Sequence, residues 1–107
     1  MTIAYKALAD SGQIELCGEL DHHAAAITIR RCEQLLDTYQ PGALVLDLAN
    51  LSFMDSSGIA LLLKLERRMH RIGGSFCVAN IPPQAYRVLV GAGINRIIKL
   101  SKKRDET

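Results

Sequence analysis

Asp55-Ser56-Ser57-Gly58 sets a carboxylate and two hydroxyls directly ahead of a long apolar-periodic segment. Each of the first three residues is a good helix N-cap, able to accept hydrogen bonds from the free amides of a first turn. Capping is the simplest account of any one of them. Two serines and an aspartate in succession exceed what a cap needs, and Gly58 in a first turn costs helix stability. A small residue there would let another molecule approach the serines. A hydroxyl at a helix N-terminus is also a favourable seat for a phosphate, whose charge the dipole and free amides stabilise. A second polar cluster, Gly18-Glu19-Leu20-Asp21-His22-His23, precedes an earlier helical segment, with Asp21 or a histidine as its cap.

Other chemistry fits these residues poorly. His22 or His23 could join a serine and Asp47, Asp21 or Asp55 in a nucleophilic triad. The chain has no G-x-S-x-G elbow, however, since Ser57 follows Asp-Ser. Adjacent histidines with no third ligand at suitable spacing make a poor metal site. Gly73-Gly74 and Gly91-x-Gly93 fit helix stops, and no G-x-x-x-x-G-K-[ST] phosphate cradle is present. The expectation is a protein without catalytic residues, metal or cofactor, and not an enzyme.

The elements that must position the two clusters are readable in outline. Ile3 to Leu8 and then Ile14, Leu16 and Gly18 read as a strand pair turning at Asp10-Ser11-Gly12. From Ala24 to Tyr39, Cys32, Leu35, Leu36 and Tyr39 recur at helical spacing until Pro41-Gly42. Ala43 to Leu48 is almost continuously apolar, as expected of a strand covered on both faces. Ser57 to Ile72 is the clearest helix, with Leu62, Leu65, Met69 and Ile72 as its apolar face. Ile59 and Leu63 fall roughly 130° from the centre of that face. They share their flank with Glu66, Arg67 and His70, so they are expected to face solvent as a docking patch for a partner. Ser75 to Asn80 reads as a buried strand, Pro82-Pro83 opens a short helix through Val90, and Ile97-Ile98 is the candidate for a last strand. The order ββαβαβαβ implies an α/β fold, a mixed β-sheet of four to five strands with helices on its faces.

The chain has 107 residues, enough for one domain, placed at residues 1–100 with a charged tail over 101–107. A net charge of +2 is too small for a nucleic-acid footprint, and three Tyr, two Phe and no Trp leave little for base stacking. Cys17, Cys32 and Cys77 are odd in number, lack a C-x-x-C spacing and sit in apolar stretches. Free thiols in a reducing compartment are the natural reading. Met1 to Asp10 shows no signal-peptide pattern. The longest uninterrupted apolar run, Ile59 to Leu63, is far short of the ~20 residues of a membrane span. A soluble cytoplasmic location, with no direct nucleic-acid or membrane contact, is expected.

Taken together, Gly18-Glu19-Leu20-Asp21-His22-His23 and Leu51-Ser52-Phe53-Met54-Asp55-Ser56-Ser57-Gly58 resemble the paired signature of the STAS family (sulphate transporter and anti-sigma factor antagonist domains). The likeness is greatest to the anti-sigma factor antagonists of spore-forming bacteria. It continues through Arg71-Ile72-Gly73-Gly74 and Gly93-Ile94 to Ile97-Ile98. The resemblance implies a phosphorylation switch at Ser57. The partner it implies is an anti-sigma factor with ATP-dependent serine kinase activity, bound by the unphosphorylated form so that a sigma factor is released. A metal-dependent serine phosphatase would act on phospho-Ser57. Asp21, His22, His23, Asp55, Ser56, Ser57, Gly58, Ile59 and Leu63 would form the partner surface, with Asp55 organising the loop. Two other readings stay open: a free-standing STAS subunit regulating a transporter ATPase, and a nucleotide or small-ligand module. Family members commonly continue into a final helix, whereas Ser101 to Thr107 offers no apolar face for one.

Overall fold

The computed structural model describes residues 1–104. Its elements run β1 (Thr2–Leu8), β2 (Ser11–Leu20), α1 (His22–Tyr39), β3 (Ala43–Met54), α2 (Ser57–Arg71), β4 (Ser75–Ile81), α3 (Pro83–Gly91), a 3-10 turn (Ile94–Arg96) and β5 (Lys99–Lys102). The strands form one mixed sheet in sequence order, with β1 antiparallel to β2 and all later neighbours parallel. The mixed α/β sheet and the element order agree with the sequence reading. The β1–β2 turn is shorter than expected, because Leu8 pairs directly with Ser11 and only Ala9-Asp10 lies between them.

Burial in β3 alternates. Leu44, Leu46 and Leu48 are buried, while Val45 and Asp47 are half-buried. Two-sided coverage of this strand is therefore corrected. Parallel strands added in sequence order by crossovers of one hand lay their helices on the same side. One core cluster accordingly joins Leu44, Leu46 and Val78 of the sheet to Cys32 and Leu36 of α1, Leu62 and Leu65 of α2, and Ala85 and Leu89 of α3. On the other face the Asp47 carboxylate accepts from the Gln13 and Asn80 side-chain amides at 3.3 and 3.1 Å.

Two helix faces also differ from their patterns. In α1 the buried set is Ala25, Thr28, Cys32 and Leu36, and Tyr39 is exposed, stacked on Tyr5 with ring centroids 4.1 Å apart. In α2 it is Gly58, Leu61, Leu62, Leu65 and Met69, whereas Ile72 is 61% exposed. The helix ends at Arg71, and Ile72, as its C-cap, leaves the helical path, so the period no longer decides where its side chain falls.

At the C-terminal side the last strand is not Ile97-Ile98. The amides of Ile97 and Ile98 both donate to the Ile94 carbonyl at 2.9 Å, which keeps them in the turn and moves β5 on to Lys99. Ser101 and Lys102, placed in the charged tail for want of an apolar face, belong to β5, where Lys102 aligns with Ile81. Residues 105–107 of that tail lie outside the described residues. The three cysteines are free, and burial pushes the Cys32 thiol up to about 12. Among the described residues no helix is long and apolar enough to cross a membrane.

Candidate functional site

The two polar clusters meet at the carboxyl ends of β2 and β3, the edge where α/β sheets place their sites. Leu20 aligns with Met54, and the Asp55 amide donates to the Leu20 carbonyl at 3.2 Å. α1 and α2 therefore start side by side.

Their first turns are held by two aspartates. Asp21 caps α1: its Oδ1 accepts from the Ala24 amide at 3.0 Å. Asp55 serves both helices. Its Oδ1 accepts from the Ser57 amide at 2.8 Å and its Oδ2 from the His22 amide at 3.1 Å. The Ser57 amide is the main reason that the Asp55 carboxyl is held below the ordinary aspartate range. The Ser57 hydroxyl and His22 act in the same direction, and partial desolvation opposes them. Ser56, formally the N-cap of α2, makes no side-chain cap bond. Capping is thus the work of Asp55, and the serines are not needed for it.

The segment before Ser57 is shorter than the sequence suggested. β3 runs to Met54, so only Asp55 and Ser56 separate strand from helix. The β2–β3 register slips between Glu15 and Cys17 and again between Gly18 and Glu19. Each slip gives β3 one extra residue, and Leu51-Ser52-Phe53-Met54 enters the strand.

Gly58 also has a different reason to be small. It is buried, and a Cβ there would stand 2.8 Å from Met54 Cγ and 3.0 Å from its Sδ. The missing side chain accommodates Met54 rather than an approaching molecule. Ile59 and Leu63, expected to face solvent, are half-buried and packed against the core cluster.

His22, His23 and Ser56 are exposed on the rim, Ser57 is half-buried, and the two imidazoles lie edge to face at 6.0 Å. No triad assembles: Asp55 engages the His22 backbone, and Asp47 lies along β3 among Gln13, Asn80 and the Ala49 amide. Among the described residues no three His, Cys, Asp or Glu side chains gather as a metal would require. One contributor was invisible in the sequence. Gln84, in the first turn of α3, bonds both backbone groups of Met54. A glutamine after Pro82-Pro83 gives no sign of a partner 30 residues upstream.

Comparison with known proteins agrees with this architecture. The chain is 32% identical over 87 residues to the anti-sigma F factor antagonist of Paenibacillus polymyxa, covering 81% of this chain and 74% of that one. It is 29% identical over 94 residues to the anti-sigma-B factor antagonist of Bacillus subtilis, covering 87% and 84%. Its fold superposes on the anti-sigma factor antagonist SpoIIAA in its unphosphorylated form with a TM-score of 0.78 at 24% identity, covering 95% of this chain and 90% of that one. The model of the STAS domain matches residues 4–107, and the chain belongs to that family.

Proposed function

We propose that this chain is an anti-sigma factor antagonist whose binding is switched off by phosphorylation of Ser57. The unphosphorylated form docks on an anti-sigma factor through the rim of Asp21, His22, His23, Asp55, Ser56 and Ser57, continued along α2 by Ile59 and Leu63. Docking releases the sigma factor that the partner holds. The partner supplies kinase chemistry from ATP, a serine phosphatase reverses the modification, and the chain itself catalyses nothing.

The observation that carries this reading is the position of Ser57. It opens α2 beside the start of α1, with its amide held by Asp55. Phosphate there adds about −1.5 to −2 charge units at pH 7. Its own helix end tolerates that charge. A partner packed on the rim would instead have to bury it next to the Asp55 carboxylate. An uncompensated buried charge costs about 3–5 kcal/mol, enough to weaken a contact of about micromolar affinity to about millimolar.

The test is calorimetry of Ser57→Ala and Ser57→Asp against the anti-sigma factor of the same genome, together with ATP-dependent labelling of the native chain. The alanine form is expected to bind, the aspartate form at least about tenfold more weakly, and label to appear on Ser57. Equal affinities would sink the switch.

A further inference from the structure

The pairing of β3 with β4 stops at Asp47 and Ala79, and Asn80, with φ 54°, turns β4 away. β3 nevertheless continues to Met54 along β2. Its other edge therefore carries backbone groups with no strand beside them, and such groups need partners wherever water is excluded. Side chains take that place. Asp47 Oδ1 accepts from the Ala49 amide at 2.8 Å, and Lys103 Nζ donates to the Ala49 carbonyl at 2.9 Å. At the end of the strand Gln84 Nε2 donates to the Met54 carbonyl at 2.7 Å, while its Oε1 accepts from the Met54 amide at 2.9 Å. A carboxamide offers one acceptor and a donor side by side, so Gln84 pairs with Met54 as a neighbouring strand residue would.

The support behind Gln84 is firm. Pro83 begins α3 with its φ already set, and Ala85 and Leu89 seat the helix in the core. The held residue, Met54, directly precedes Asp55, whose carboxylate joins the amides of His22 and Ser57.

We infer that Gln84 is a positioning residue for the Ser57 site: by fixing the backbone of Met54 it sets where Asp55 stands, and so aligns Ser57 with the Asp21–His23 rim. The inference rests on the reading of Ser57 as the modified residue. The hydrogen bonds of the Gln84 side chain go to Met54, not to Ser57 or the rim.

Two variants test it. Gln84→Leu keeps the bulk and removes both bonds. Gln84→Glu places a carboxylate against the Met54 carbonyl at neutral pH. Once protonated, below about pH 4.3, it regains one donor and one acceptor. In the isolated chain, Gln84→Leu is expected to speed amide exchange at Met54 by about tenfold relative to Leu46. The amide resonances of His22 and Ser57 should shift with it. Gln84→Glu should behave alike at pH 7 and return toward the native chain, compared at equal pH, as its carboxyl protonates. With the anti-sigma factor kinase and ATP, KM for Ser57 should rise severalfold in Gln84→Leu at unchanged kcat. Loosening confined to Met54, with His22 and Ser57 resonances unmoved, overturns the inference, as does an unchanged KM. A native chain that takes no phosphate on Ser57 defeats the functional reading instead, and the His22 and Ser57 resonances still decide the role of Gln84.

Discussion

The Asp55 carboxylate reaches the backbone amide of His22 at 3.1 Å across 33 positions of chain. With its other oxygen on the Ser57 amide, one side chain joins the starts of α1 and α2. The two polar segments are thereby a single rim, and its geometry depends on one negative charge between two helix N-termini.

Replacing Asp55 by Asn removes that charge and leaves only one acceptor oxygen. The melting temperature is expected to fall at neutral pH. The folded carboxyl titrates below its unfolded value, so its contribution is complete above about pH 3.9 and fades as pH drops through the lower folded value. Native and Asp55→Asn melting curves should therefore converge in acid. A gap that persists undiminished below that range would show that the charge is not what holds the two helices.

Gly58→Ala tests the fit of Met54 against α2. Alanine gains ~1 kcal/mol over glycine in a helix. Its Cβ would nevertheless meet Met54 Cγ at 2.8 Å in a fully buried setting, and overpacking typically costs about 1–3 kcal/mol. Urea denaturation should show net destabilisation. Met54→Ala alone is costly as well, so the double variant should be more stable than the two single losses add up to. Strict additivity would remove Met54 as the reason for this glycine.

Local chemistry made part of this legible. Asp21 is a capping residue by type and caps in fact, and the two polar clusters lie where strands give way to helices. The length of β3 was not legible, because it comes from register slips against β2 that alternation within one segment cannot reveal. The reason for Gly58 was hidden for a related cause: its neighbour is four residues away in sequence but reaches it by folding back from a strand onto a helix. Gln84 acts across 30 residues on backbone atoms alone, so nothing in the identity of Met54 points to it.

The expected apolar face of α2 includes Ile72 and leaves out Leu61, whereas in the structure Leu61 is fully buried and Ile72 is 61% exposed. Leu61→Ala should cost about 2–5 kcal/mol through lost burial and the cavity left behind. Ile72→Ala should stay within about 0.5 kcal/mol. Chemical denaturation of the two variants separates them directly, and a large loss at Ile72 would place it back in the core.

Ser57→Asp sets two effects of opposite sign against each other in the isolated fold. The first turn of α2 has no acidic residue, so a carboxylate at position 57 gains from the helix dipole by about 0.3–1 kcal/mol. It also stands beside Asp55, whose charge repels it. The melting temperature of the single variant should therefore barely move. In an Asp55→Asn background the repulsion is gone and the dipole remains, so the same substitution should be stabilising. That non-additivity, read from a four-member thermal-melt cycle, locates the two charges in one electrostatic site. It also bears on the switch: a negative charge at residue 57 that leaves the fold intact must act on whatever docks there. Marked unfolding of Ser57→Asp would instead make loss of structure the means of switching.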